Sequence, residues 1–390
     1  MFSASGDHNE RPVWTAGRLS GVDSSDVISL PELAESWRAE HPDLAVHDPG
    51  GPGECLVRSG ELLIRSDGVP VAVDRLRRWV DRVDATAEPG FVRIRLRAGE
   101  HPVRIAADSG LDVAPNHVHV GSPIMIGTAR PLPAPADAPP PPPDETWPVT
   151  VAVLDTGLDP HPWFADRSWF AAVPEVLDAD GRPGQDRQAG HGTFVTGVLV
   201  RHAPGVQVRP RRVLSSLGLT DDLTVARGLR AVRGADVVLL TAGCHTADDR
   251  CPPVLRHEVG RLDGVVVAAA GNGGTSRPVW PAALPEVVAV GADAAFSNHG
   301  PWVDAIAPGV DVTSSFVWLT AGGRRRGAEG RGAEGREYGC ARWSGTSFAA
   351  PRVAADLARL LHEGVSQADA VDAVRRAGIE RAVSAQAVTG

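Results

Sequence analysis

Lysine is missing altogether: all 39 basic residues are arginine. With 43 glycines and 33 prolines beside them, the bias reads as the codon usage of a GC-rich genome more than as chemistry. Cysteine is scarce, and four in 390 residues cannot carry a disulfide-built fold. Long apolar runs are absent as well, none approaching the roughly 20 residues that a membrane-crossing helix needs. The first 30 residues lack the charged-then-apolar order of a secretory leader. These absences set the expectation of a cytoplasmic chain without membrane contact. The formal net charge of -9 has the wrong sign for neutralising phosphates, which argues against nucleic acid as a partner.

Hydrophobic residues supply 43% of the chain, enough for a sizeable core, and the length suits one large domain plus a smaller one. Residues 1–130 read as a small α+β domain. Ser29 is placed to cap a helix over 30–38. Cys55-Leu56-Val57 and Leu62-Leu63-Ile64 predict two short strands around a Ser-Gly turn. Val71, Val73, Leu76, Trp79, Val80 and Val83 predict a helix over 71–83. Phe91, Ile94 and Leu96 alternate with arginines as a half-buried strand does, and 103–105 and 117–126 offer further strands. Residues 131–147 are proline-rich and predict a semi-rigid extended linker.

The rest, 148–390, alternates strand and helix. Apolar runs at 149–154, 206–214, 237–240, 265–270 and 287–290 are continuous, and helical patterns at 193–200, 223–232 and 253–262 fall between them. Continuous apolar strands suit a sheet covered on both faces, here an α/β fold with a doubly wound, mostly parallel sheet. Sites in such sheets lie at the carboxyl ends of strands. Asp155, Thr241-Ala242-Gly243 and Asn272 all stand at such ends.

Further on, Gly345-Thr346-Ser347 runs into an Ala-rich segment over 348–361. That places Ser347 at the start of a buried helix, its hydroxyl outward, with Pro351 in the first turn. A helix N-terminus offers unsatisfied N–H donors and partial positive charge to a developing oxyanion, although an ordinary capping serine looks the same. A serine nucleophile needs a base and a carboxylate to orient that base. His191, in Gly190-His191-Gly192-Thr193, suits the base; Asp155 suits the carboxylate, and the Asn272 amide can donate to an oxyanion. Taken singly, each also fits a plainer part as a turn former or a capping residue.

In chain order, Asp155-Thr156-Gly157, Gly190-His191-Gly192-Thr193, Ala269-Ala270-Gly271-Asn272 and Gly345-Thr346-Ser347-Phe348-Ala349-Ala350-Pro351 resemble the four signature blocks of the subtilisin-like serine proteases. The Asp, His, Ser order is the one that family is known for, so it counts as a match to the family and not as an independent prediction. The resemblance covers about 149–361. It implies that Ser347 is the nucleophile, His191 the general base and then acid, and Asp155 the group holding the imidazole. The Asn272 amide and the Ser347 N–H would bind the oxyanion. Thr241, Ala242, Gly243, Ala269 and Gly271 would bind substrate, an extended peptide adding as a strand to the first three. The implied function is a serine endopeptidase acting on protein or peptide substrates. Residues 1–130 resemble the family's prodomains loosely and would dock on the catalytic part.

Two other classes stand beside this reading. A catalytically silent peptide-binding fold is opposed by the intact Asp155, His191, Asn272 and Ser347. An esterase is opposed by the absence of a Gly-x-Ser-x-Gly elbow at Ser347. The family's calcium loop is missing from the short connection over 200–208, so no cofactor and no metal is expected, with calcium left open. A tandem Arg-Gly-Ala-Glu-Gly repeat within 324–336 reads as a surface loop or a flap. Cys244, His245, Cys251 and His257 do not match zinc-ligand spacing, and a Cys244–Cys251 disulfide is left open.

Overall fold

The structure, a computed structural model, describes residues 29–84, 90–121, 130–137, 139–179, 181–182, 184–320 and 335–389. Residues 122–126 of one expected strand and 324–334 of the insert lie outside these. The described chain opens with α1 (Leu30–Trp37), where the Ser29 hydroxyl and the Glu32 carboxylate accept from each other's backbone N–H, a capping box. There follow β1 (Leu44–His47), β2 (Cys55–Arg65), α2 (Val69–Leu76), β3 (Val80–Asp84), β4 (Phe91–Leu96), α3 (Pro102–Ser109) and β5 (Val113–Gly121). The strands form one antiparallel sheet in the order β5-β2-β4-β3, with β1 on β2.

Three local expectations change here. The two short strands around Ser59-Gly60 are one strand, β2, and Gly60 takes up an irregularity in its pairing at φ 66 instead of making a turn. The helix expected over 71–83 stops at Leu76. Val80 and Val83 join β3 because pairing with β4 outweighs their helical spacing, while Val71 is left 58% exposed. Residues 103–105 are helical, not extended, since Pro102 starts α3 and Gly110, left-handed at φ 64, ends it.

Next come β6 (Leu132–Ala134), β7 (Thr150–Asp155), α4 (His191–His202), β8 (Gln207–Arg212), β9 (Leu219–Asp221), α5 (Asp222–Ala231), β10 (Val237–Leu240), β11 (Ala242–Gly243) and α6 (Pro253–Val259). The remaining elements are β12 (Val265–Ala269), β13 (Val287–Ala292), β14 (Ala305–Ala307), β15 (Val312–Leu319), β16 (Arg336–Trp343), α7 (Thr346–His362) and α8 (Gln367–Thr389). Six strands make a parallel sheet in the order β14-β13-β12-β10-β7-β8. Its central strands are valine-rich and fully buried because α4 and α7 cover one face and α5 and α6 the other. β8 carries arginines and a proline, Pro210, and it lies at the edge, where a missing N–H is tolerated. This is the doubly wound α/β architecture expected. Among the described residues, no helix is long and apolar enough to cross a membrane.

Two sets of pairings lie outside the parallel sheet. β15, β16 and β6 form a small antiparallel sheet, so the proline-rich run contributes an edge strand. β9 and β11 pair with β5, one on each of its sides, instead of joining the parallel strands.

Candidate active site

Strand order reverses at β7, which has β8 on one side and β10 on the other, and this opens a crevice at the carboxyl ends. Asp155 ends β7 there, and His191 starts α4 above it. The two glycines around His191 permit the approach. A Cβ at Gly192 would lie 2.2 Å from the Gly157 carbonyl oxygen, and one at left-handed Gly190 2.7 Å from the Phe316 ring. His191 Nδ1 lies 2.8 Å from Asp155 Oδ1. A carboxylate only accepts, so Nδ1 carries the proton and Nε2 of the neutral ring is the acceptor. Nε2 is buried and has no hydrogen-bond partner among the described residues. The ring packs against Trp343 and Phe348, both with centroids 5.3 Å away.

Asp155 is held by more than the imidazole. Its Oδ1 also accepts from the Thr156 N–H at 2.7 Å, and the Thr241 hydroxyl donates to Oδ2. Burial by itself would raise this carboxyl; the charge and hydrogen bond of His191, with the Thr241 and Thr156 donors, hold it below the ordinary carboxylate value. The Thr241 hydroxyl is a contributor that sequence reading missed, having placed Thr241 only against substrate. The signal was weak: a threonine at a strand end has many uses.

Ser347 is the second residue of α7. It is fully buried, so the expected outward hydroxyl is corrected: it faces an internal cleft, donating to the Thr241 carbonyl oxygen at 3.4 Å. Pro351 is inside the helix, one turn further on than expected. A proline there costs about 3 kcal/mol in an ordinary helix and leaves the Ser347 carbonyl without its helical N–H donor. Beside Ser347, the Thr346 N–H and hydroxyl both donate to Asn272 Oδ1, at 2.9 and 3.0 Å. The amide oxygen is thereby committed to α7. Asn298, to which the sequence reading gave no role, secures the Gly271–Gly273 turn by donating to the Ala270 carbonyl and accepting from the Gly273 N–H.

A cavity of about 310 Å³ joins these groups: Ser347, Asn272, Thr241, Gly243, Ala269 and Gly271 all line it. Ala242 does not; it is buried in the ladder with Gly121. The expected strand-binding edge is occupied by the chain itself. β5 runs antiparallel between β9 and β11, Val120 opposite both Leu219 and Gly243, and Val118 and Val120 close one wall of the cavity. All four cysteines are free and buried, so Cys244 and Cys251 do not form the local bridge left open above.

Glu175 had no signal in the sequence. It is buried, and its Oε1 accepts from the Thr193 N–H at 3.0 Å and the Thr193 hydroxyl at 3.2 Å, at the first turn of α4. Burial pushes its carboxyl up from 4.5 to about 7, with the charges of Asp155 and Asp159 adding and hydrogen bonds from Thr156 and Thr193 opposing. The folded chain therefore holds this proton more tightly than the unfolded chain. The associated stability is whole below about pH 4.5 and fades as pH rises through about 7. Glu175→Gln, which copies the protonated form, is expected to melt in urea at the same concentration as the parent near pH 4. Above pH 7 it should be up to about 3 kcal/mol more stable. A gap independent of pH would count against this account.

Known proteins place the same residues in one family. The subtilase family, peptidase S8, matches residues 148–386. A thermophilic serine proteinase of Bacillus sp. (strain AK1) is 32% identical over 247 residues, 57% of this chain and 56% of that protein. Subtilisin BL of Lederbergia lenta is 33% identical over 190 residues, 44% of this chain and 68% of that protein. The chain thus spans a little over half the length of the first relative. Among solved structures, a cold adapted subtilisin-like serine proteinase is 25% identical with a TM-score of 0.43, over 63% of this chain and 87% of that one. The family match takes in more than half of the chain, including Asp155, His191, Asn272 and Ser347, and this chain therefore belongs to the subtilase family.

Proposed function

We propose that this chain is a serine endopeptidase in which Asp155, His191 and Ser347 form the catalytic relay. The observation that carries the reading is the Asp155–His191 contact at 2.8 Å, which fixes the imidazole with Nε2 as proton acceptor in the crevice that holds Ser347. The mechanism requires the Ser347 hydroxyl to turn from the Thr241 carbonyl toward Nε2, and catalytic hydrogen bonds are often loose before substrate arrives. Ser347 Oγ then attacks the scissile carbonyl carbon while its proton passes to Nε2. The tetrahedral oxyanion is met by the Ser347 N–H at the start of α7 and by the amide of Asn272, whose oxygen end Thr346 holds. The imidazolium returns its proton to the leaving amine, and water repeats the cycle on the acyl-enzyme. The experiment is labelling with a small fluorophosphonate together with digestion of casein. Labelling with turnover of simple esters but no peptide cleavage would favour the esterase reading.

The same proposal includes the N-terminal part. β5 holds the strand position that an extended peptide substrate would take, adding to β9 and β11 by backbone hydrogen bonds. It runs so that its last residue, Gly121, lies at the Thr241 end of β11, nearest the nucleophile. Residues up to 130 thus act as an internal occupant that assists folding and restrains activity. A chain starting at Pro148 is expected to recover poorly from denaturant unless residues 1–130 are supplied separately. Once folded, it should digest casein faster than the full chain. Equal refolding and equal cleavage by the two chains would remove this part of the proposal.

A further inference from the structure

The occupied cleft contains a second cluster of chemically capable side chains that the relay does not use. Asp222, the first residue of α5, is fully buried. His117 and His119 of β5 reach it from the other side: His117 Nδ1 lies 3.0 Å from Oδ2 and His119 Nε2 lies 2.8 Å from Oδ1. The His117 backbone N–H also donates to Oδ2, at 2.9 Å. Both histidines are buried, and His119 Nδ1 has no hydrogen-bond partner among the described residues. Cys244, just after β11, brings a buried free thiol to the same place. One ring nitrogen of His119, one carboxylate oxygen of Asp222 and the Cys244 sulfur all lie within 4.8 Å of one another.

We propose that His119, Asp222 and Cys244 bind a zinc-type divalent cation that fastens β5 into the cleft. Nitrogen, carboxylate oxygen and thiolate sulfur are the donor types such an ion takes, at about 2.0–2.3 Å each, so donors already this close need only small movements to reach it. Charge argues the same way. Among the described residues the buried Asp222 is met by the two imidazoles and no arginine, and a doubly charged ion with one carboxylate and one thiolate makes a neutral buried set. His117 then serves as the outer partner, holding Oδ2 so that the carboxylate is aimed at the ion. The Cys244 thiol gives up its proton on binding, so uptake of each ion releases one proton. The ligands come from both sides of the interface, two from beside the strand-binding edge and one from the strand within it. The ion is therefore a clasp on the internal occupant.

The test uses the full chain carrying Ser347→Ala, so that its outcome is independent of whether peptide bonds are cleaved. After chelation and dialysis, one zinc ion per chain is expected to bind and to raise the melting temperature. Cobalt(II) in its place is expected to show a thiolate-to-metal charge-transfer band. That band should vanish in Cys244→Ser and persist in Cys340→Ser, whose sulfur lies in β16. His119→Gln should weaken zinc binding by at least about 10–100-fold, the range that loss of an outer partner alone produces. A melting temperature unmoved by zinc, which needs no variant to observe, overturns the proposal. So does a cobalt band that survives Cys244→Ser.

Discussion

Ser347→Ala is expected to lower kcat for casein or a peptide ester about 10⁶-fold and to abolish fluorophosphonate labelling. That scale is the one known for removing the same group in subtilisin, a member of this family, and it is adopted from there. The physical ground in this chain is the crevice itself. Ser347 lines the cavity beside Asn272 with its hydroxyl donating to the Thr241 carbonyl, and α7 presents its N–H at the same point. Without the hydroxyl, the oxyanion donors remain. A residual rate of about 10³–10⁴ over water should therefore persist. Folding offers no escape from the test, because deleting one oxygen at a cleft wall leaves the Phe348, Ala349 and Ala350 packing of α7 untouched. Retention of labelling in the variant, with an unchanged melting temperature, would move the nucleophile elsewhere.

Asp155→Asn is expected to reduce kcat about 10⁴-fold while changing substrate affinity little. The reason lies in the tautomers. Asp155 Oδ1 takes the Nδ1 proton of His191, and its Oδ2 takes the Thr241 hydroxyl. An asparagine oxygen can keep only one of these acceptances, and its NH₂ must face the other. If the NH₂ faces the imidazole, Nδ1 becomes the acceptor and the proton moves to Nε2, where it blocks abstraction from Ser347. The comparison that checks it is Thr241→Val, which removes a donor from Oδ2 but preserves the tautomer and should cost far less. Equal losses in the two variants would show that Asp155 acts only as a buried scaffold.

How much of the fold and site was legible in advance depends on where each signal is local. The valine runs of β10 and β12 read correctly because a strand covered on both faces needs nothing but apolar side chains. The places of Asp155, His191 and Ser347 in the fold were legible for another reason: each sits where a strand ends or a helix begins, with glycine close by. The roles expected of them came from the resemblance to the subtilisin-like proteases. The failures needed tertiary information. Val80 and Val83 satisfy a helical face and a strand equally, and only β4 decides between them. Glu175 lies in a stretch without periodicity, and its importance comes from the Thr193 N–H across the fold. The sequence reading set the cysteine-histidine quartet around Cys244 aside as a metal motif; the side chains that lie near that thiol, His119 and Asp222, come from other parts of the chain.

The hairpin of β15 and β16 has a practical corollary. Leu319 and Arg336 face each other across the ladder, and Arg336 is tied to Asp159 and to the Glu175 carbonyl. Leu319 and Arg336 are thus held opposite one another by contacts that do not depend on the residues between them. Lengthening a closed excursion adds only about 0.6 kcal/mol of entropy per doubling. An engineer seeking to graft a reporter peptide or a recognition tag onto this chain would place it between those two residues.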